Sequence, residues 1–408
     1  MIVLSGAELI LPDRIVSPGT VVIDGDRIAD VRTESVPGSA ASHSSFAFHN
    51  HYIVPGFVDV HVHGLDGIDS LDGPEAVHSI AARLPRHGVT AFCPTTVACA
   101  PAALRSVLDQ VRRARETRAP TSARVLPAHL ESNFINPDMR GAQPLACLRS
   151  PRAAVNSTRS APPSGPRSDA EFTAADILHE IERATPDVGI VTVAPELDGG
   201  LDLVGWLVAR GHHVSLGHSN ATYEEALAAV TAGGRQATHL FNRMPPLNHK
   251  TPGLAGAILQ AEEVAAELIC DGFHVHPGVM RMTIAAKRPS RILAITDGTG
   301  ASGLPVGQRA RLGGHTITAH ESAAFLDDGT VAGSVLTMDR AFRTLVRSIG
   351  VSLVDAVTMC STTPARELGL VGYGVLATEA MADLVVLDSE FNVVQTYIGG
   401  QLVYNSRI

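Results

Sequence analysis

Lysine is nearly missing from this chain: Lys250 and Lys287 are the only two in 408 residues, and basic residues together number 32 against 41 acidic ones. A formal net charge of −9 with aromatics at 4% excludes a nucleic-acid surface, which needs a basic face with interleaved aromatics. Cysteine is sparse as well. Cys93, Cys99, Cys147, Cys270 and Cys360 are scattered, odd in number and form no C-x-x-C pair, a pattern expected of a reducing cytoplasm. No window approaches the roughly 18 unbroken apolar residues that span a bilayer, so no membrane partner is expected. The first thirteen residues place Glu8 inside their apolar stretch and lack a basic leader or cleavage site, so no signal peptide is expected.

What is present is an ordinary globular composition, 45% hydrophobic and 18% charged. The length suffices for one (β/α)8 barrel of about 250 residues plus an accessory domain. Near the start, residues 21–23 and 27–31 flank Asp24-Gly25, the signature of a tight hairpin. Residues 382–388, 393–398 and 401–404 repeat the style at the far end. Such hairpins are marginal alone, so both ends are expected to share one small β-sandwich, residues 1–54 with 360–408. Between them, residues 55–359 alternate short apolar strands with amphipathic stretches. The strands are expected at 57–63, 89–97, 124–131, 188–193, 213–218, 236–240, 265–271 and 291–297. Helices are expected at 74–86, 101–116, 174–184, 200–210, 222–232, 253–261, 277–286 and 337–349. Eight such units predict a closed α/β barrel. The Ser-, Pro- and Arg-rich run 149–170 breaks the rhythm and reads as a mobile surface insertion leaving the catalytic face, plain disorder or a lid.

Chemistry concentrates at strand ends. In Pro55-Gly56-Phe57-Val58-Asp59-Val60-His61-Val62-His63-Gly64, the two-residue period of a strand sends both histidines to one side, the barrel interior. Glu131, His218, His239 and Asp297 close the third, fifth, sixth and eighth strands at the face where barrel active sites sit. One such residue alone is better read as packing; five strand ends together predict a metal centre drawn from His61, His63, Glu131, His218, His239 and Asp297. Imidazoles and a carboxylate suit a divalent ion, zinc first, with iron, nickel, cobalt or manganese as alternatives, one or two ions per chain. Asp297 beside that ion is expected to act as general base and then general acid on an amide. Asp59 and Glu196 are read as supporting residues, and His49, His51, His212 and His276 as surface or packing histidines. Neither lysine lies on a central strand end, so any bridge between two ions falls to Glu131.

Across essentially its whole length the chain resembles the N-acetylglucosamine-6-phosphate deacetylase family. The likeness is carried by PGFVDVHVHG at 55–64, HLES at 129–132, APE at 194–196, GHSNATYEEA at 217–226, THLFN at 238–242, TPGLAG at 251–256, DGFHVHP at 271–277, TDG at 296–298 and AGSVLTMDRA at 332–341. The resemblance implies a metal-dependent hydrolase that removes the N-acetyl group of an amino sugar, with another N-acyl amino sugar, an N-acyl amino acid or a cyclic amide as rival substrates. It implies that Glu131, His218 and His239 hold the principal ion, that His61 and His63 match members with a second ion, and that Asp297 is the acid/base. Asn242 and His274 align with residues that touch the sugar or its phosphate. Members are commonly homodimers in which a basic residue of the loop after the sixth strand reaches the neighbour's substrate.

The chain departs from that family in its pocket. Ser132-Asn133 replaces a Gly-Pro pair, Gln143 stands where a substrate-contacting His is usual, Arg243 replaces Ala, and Lys250 replaces Arg. Glutamine donates hydrogen bonds but carries no charge, and a lysine is a point charge where arginine is a fork. Gln143, Arg243 and Lys250 are therefore expected among the substrate-binding residues.

Overall fold

In the computed structural model, which describes residues 1–33, 44–157 and 171–406, the apolar segments pair in parallel around a barrel. The strands are β1 (Phe57–Val62), β2 (Val89–Thr96), β3 (Ala128–Leu130), β4 (Val188–Val193), β5 (His213–Leu216), β6 (Gln236–Ala237), β7 (Ala265–Ile269) and β8 (Ile292–Ile295). Consecutive strands are hydrogen-bonded from β1 to β8. The ring closes where Val62 pairs with Gly298, whose carbonyl accepts from the N–H groups of His63 and Gly64 at 2.8 and 3.0 Å. Every residue of β1, β2, β7 and β8 is buried, as parallel strands covered on both faces require.

The third strand is broken where a continuous one was expected. Arg124–Val125 pairs with Ala91 and Phe92, whereas β3 pairs further along with Thr95 and Thr96. Between them Pro127 has no N–H to donate to a ladder. Strands β3, β5, β6 and β8 also stop short of their expected ends, so Glu131, His218, His239 and Asp297 lie just past the strands, in the first loop residues.

Helices follow the strands as the periodicity predicts, for example Pro101–Glu116, Ala174–Arg183 and Pro277–Lys287. Thr222 and Glu225 cap Tyr223–Thr231 reciprocally, satisfying two orphan N–H groups. The last of the expected helices passes from Met338–Arg343 into a π-helical turn, Thr344–Ile349. Residues 298–336, for which no element was expected, contain a three-stranded sheet, Arg309–Leu312, His315–Ala319 and Ala324–Leu326, with its own small core. Within the expected insertion, Pro151–Ser157 is a helix whose Ala154 and Val155 join the barrel core, correcting the mobile-loop reading there; 158–170 lie outside the described residues. Among the described residues no helix is long and apolar enough to cross a membrane.

The two ends share one sheet. Its hydrogen-bonded order runs Gln401–Asn405, Val393–Ile398, Leu384–Leu387, Tyr52–Pro55, Ile2–Ile10, Ile15–Asp24, Arg27–Arg32, with Ser44–Ala47 beside Ile2–Ile10. The sandwich expected from the hairpins takes the form of this continuous sheet, rolled so that Leu4, Val21, Ile28, Ile53, Leu384 and Tyr397 bury a common core. The expected boundary at residue 360 falls inside a helical stretch: Cys360 and Ala365 belong to the barrel core, and the sheet core resumes at Leu376.

A buried ion pair fastens sheet to barrel. Arg124 donates to both oxygens of Asp383, at 2.8 and 3.0 Å, and Gly399 N donates to the same carboxylate at 2.7 Å. Asp383 is 3% exposed and the Arg124 side chain 19%, so removing the carboxylate leaves a largely desolvated cation without its partner. Asp383→Ala is expected to destabilise the protein by about 3–5 kcal/mol, measured by chemical denaturation, and Arg124→Met/Asp383→Leu to recover most of that loss.

Candidate metal centre and active site

The end of the barrel lined by the strands' C-termini opens into a cavity of about 430 Å³, with His63, Glu131, His218, His239 and Asp297 on its floor. Glu131 Oε1 lies 2.8 Å from His218 Nε2 and 2.7 Å from His239 Nε2. Glu131 Oε2 lies 3.4 Å from His63 Nε2, and Asp297 Oδ1 stands 3.3 and 3.4 Å from the Nε2 atoms of His61 and His63. The structure thus brings all six expected metal-set residues together, every one buried. Among the described residues three triads have their ligand atoms within 4.8 Å of one another: Glu131 with His218 and His239, His61 with His63 and Glu131, and, deeper in the barrel, His61 with His129 and Glu267.

Backbone strain holds three of these side chains. His218, His239 and Asp297 have φ of 47°, 30° and 49°, a left-handed conformation that costs a non-glycine residue about 1–3 kcal/mol. Surrounding bonds fix them there. His218 Nδ1 donates to Met139 O at 2.8 Å, turning the Nε2 lone pair inward. Asp297 O accepts from Ser334 N at 2.9 Å, and Glu196, as expected of a supporting residue, bonds Ser219 Oγ and Asn220 N immediately after His218.

The donor set fits a cation. Nε2 of His61 is 3.1 Å from Nε2 of His63, and Nε2 of His218 is 3.1 Å from Nε2 of His239. Nitrogens this close to each other and to carboxylate oxygens need a shared proton or a metal ion between them. Burial alone would lower the pKa of His61 and His63, but Glu267, Asp297 and Glu131 outweigh it and raise them to about 9 and about 10. Burial pushes the Asp297 carboxyl up, yet the imidazoles of His61 and His63 hold it below the ordinary range. The negative field that retains those protons is the one a divalent ion satisfies.

Other expected residues sort differently. Gln143 donates to Glu131 Oε2 and accepts from Ala98 N at 2.7 Å, so both ends of its amide are engaged in orienting Glu131, although it lines the cavity. Arg243 lines the wall, donates to Val331 O at 3.0 Å, and packs so closely on Gly141 that a Cβ there would collide with its guanidinium. Asn242 turns back on His239 O at 3.2 Å. His274 Nδ1 is bonded to Asp271 at 2.6 Å, while its Nε2 is buried without a partner at the cavity wall. Lys250 is exposed and is not among the residues lining this cavity.

The sequence reading missed Glu267, His129, Arg140 and Phe273. Glu267 sits in the middle of β7, fully buried, and a carboxylate in an otherwise apolar strand was the available signal. His129 lies beneath it, donating to Val60 O at 3.1 Å and accepting from Thr192 Oγ1 at 2.9 Å, and burial lowers its pKa to about 4. Asp59 accepts from Thr296 Oγ1 at 2.6 Å across the closure of the barrel, and burial raises its carboxyl to about 7, consistent with a supporting role.

The family model described as the amidohydrolase family matches residues 52–403. N-acetylglucosamine-6-phosphate deacetylase from Homo sapiens is 34% identical, covering 99% of this chain and 94% of that protein. N-acetylgalactosamine-6-phosphate deacetylase from Escherichia coli O157:H7 is also 34% identical, over 86% of this chain and 87% of its own length. Among solved structures, a point mutant of N-acetyl-D-glucosamine-6-phosphate deacetylase from Mycobacterium smegmatis, in complex with N-acetyl-D-glucosamine-6-phosphate, superposes with a TM-score of 0.85 at 29% identity, covering 99% of each chain.

Zinc added to the metal-stripped protein is expected to release protons from His61 and His63, most below pH about 9 and progressively less through pH 9–10 as the imidazoles arrive already deprotonated. Calorimetry in buffers of different ionisation enthalpy measures this; a release that does not change with pH contradicts the assignment.

Proposed function

The chain belongs to the amidohydrolase family, and within it to the N-acetylglucosamine-6-phosphate deacetylases, and from that premise we propose that it removes the N-acetyl group of N-acetylglucosamine 6-phosphate, giving glucosamine 6-phosphate and acetate. The observation that carries this reading is the convergence of Glu131, His218 and His239 on the cavity floor with Asp297 beside them. These three would hold the principal ion, and His61 and His63, sharing Glu131, a second. Zinc is the ion proposed, since neutral imidazole and carboxylate oxygens suit it. A bound divalent ion supplies Lewis acidity, polarising the amide carbonyl and acidifying water.

The remaining chemistry falls to the chain's own side chains. The Asp297 carboxylate, held ionised by its histidine neighbours, accepts a proton from the attacking water and returns it to the amide nitrogen, which leaves as an amine only once protonated. His274 Nε2, its ring fixed by Asp271, offers a polar atom to the sugar from the wall. Asn242 and Arg243 bound the same wall, Arg243 supplying a guanidinium toward an anionic group. Phe241, Met244 and Phe273 supply apolar lining that limits water.

Two extensions belong to the proposal. The galacto epimer, N-acetylgalactosamine 6-phosphate, is the second reading, favoured by the relative of that name. Lys250, exposed on the loop after β6, is assigned to the sugar phosphate bound by the partner of a cytoplasmic homodimer.

Acetate release from both epimers, with and without the 6-phosphate, tests the substrate; release from none overturns the assignment. Asp297→Asn is expected to lower kcat by about 10²–10⁴-fold with zinc content little changed. Lys250→Ala is expected to raise KM for the phosphorylated sugar by about 10–100-fold, leaving the unphosphorylated sugar unaffected.

A further inference from the structure

One buried carboxylate touches both halves of the metal centre. Glu267 is fully buried, and its Oε2 accepts two hydrogen bonds: from His61 Nδ1 at 2.9 Å and from the backbone N–H of His239 at 3.1 Å. Its other oxygen accepts from Gln236 Nε2 at 2.6 Å, and Leu240 N donates to the Glu267 carbonyl at 2.9 Å. A single oxygen atom therefore ties the β1 histidine of one triad to the β6 histidine of the other.

Each tie has a distinct consequence. The bond to His61 Nδ1 fixes that ring's orientation and tautomer, so its Nε2 faces His63, Glu131 and Asp297. The bond to His239 N steadies a backbone at φ 30°, which leaves the β6 ladder just after Ala237 and needs another acceptor. The carboxylate also places a full negative charge directly behind His61. At His239 the same carboxylate meets the backbone N–H and not the ring.

We propose that Glu267 is a positioning residue that couples the two ion subsites, so that altering this one carboxylate weakens both. The inference rests on the metal-centre reading above and extends it to a residue outside the two triads proposed to hold the ions. Gln236 serves as its anchor from β6, keeping the carboxylate turned toward His61 and His239 rather than toward His129 Nδ1, 3.7 Å from Glu267 Oε1.

The test is zinc titration of metal-stripped, full-length protein, resolving both binding steps, for the wild type and for Glu267→Gln. The amide keeps the shape and an acceptor for His61 while deleting the charge. Both steps are expected to weaken by about tenfold or more, the range seen when a partner of a ligating histidine is lost. The melting temperature of the stripped protein is read in parallel. A fall there with both zinc constants unchanged assigns Glu267 a structural role only and overturns the inference, as does weakening confined to one step. Should Glu267→Gln not fold, Gln236→Met takes its place, with a smaller loss expected at both steps and the same outcomes decisive. Wild-type protein that binds no zinc overturns the metal-centre reading itself, whereas two intact steps in the variant overturn this inference alone.

Discussion

Four imidazole nitrogens crowded against two buried carboxylates are the constraint on which this molecule turns. His61 faces His63, and His218 faces His239, in each case with Nε2 atoms 3.1 Å apart, around Glu131 and Asp297. In a low-dielectric barrel mouth such a set is stable only with positive charge at its centre, whether protons or a metal ion. The barrel makes the crowding possible, because it brings the ends of five strands to one small area. The same crowding gives Asp297 its ionised state, and with it the capacity to act as a base.

Precision is supplied from outside the set. Three of the converging residues sit in left-handed backbone, which persists because the neighbouring loops over-determine it: Met139 O on His218, Glu196 on Ser219 and Asn220, Ser334 N on the Asp297 carbonyl. Gln143 belongs to this supporting layer. A glutamine where relatives were expected to present a histidine to substrate is here committed at both ends, to Glu131 and to Ala98, and so helps orient the Glu131 carboxylate. Two arginines, Arg140 and Arg243, line the pocket, the second packed against the small Gly141. The three-stranded sheet and the residues after it complete the wall beside Arg243 through Leu312, Val331 and Gly333.

Much of the fold was legible because its two periods are strong. Continuous apolar runs such as Ile292–Ile295 alternate with amphipathic stretches such as Pro101–Glu116, and the hairpin residues at both termini left one economical arrangement, a shared sheet. Less legible were features set by single residues against the pattern. Pro127 splits a strand that composition alone makes continuous. The sheet at 309–326 is built of strands of only 4, 5 and 3 residues, too short for their alternation to stand out, and the helix Pro151–Ser157 lies in a run whose Ser, Pro and Arg content signals a loop.

For the site, the sequence by itself determined which side chains stand near strand ends, since the two-residue period and the barrel rule need nothing more: His61 and His63 on one face, Glu131, His218, His239 and Asp297 at the close of their strands, which the structure ends one or two residues earlier. Only the tertiary structure decided what each of them touches. That Gln143 serves Glu131, that Lys250 stays clear of the cavity of its own chain, and that Glu267 reaches across from β7 to His61 and His239 are relations between residues from 12 to 206 positions apart or between loops whose path no local pattern specifies. Hydrogen-bond partners are chosen by the packing of the whole barrel, and that choice is written in no short stretch of the chain.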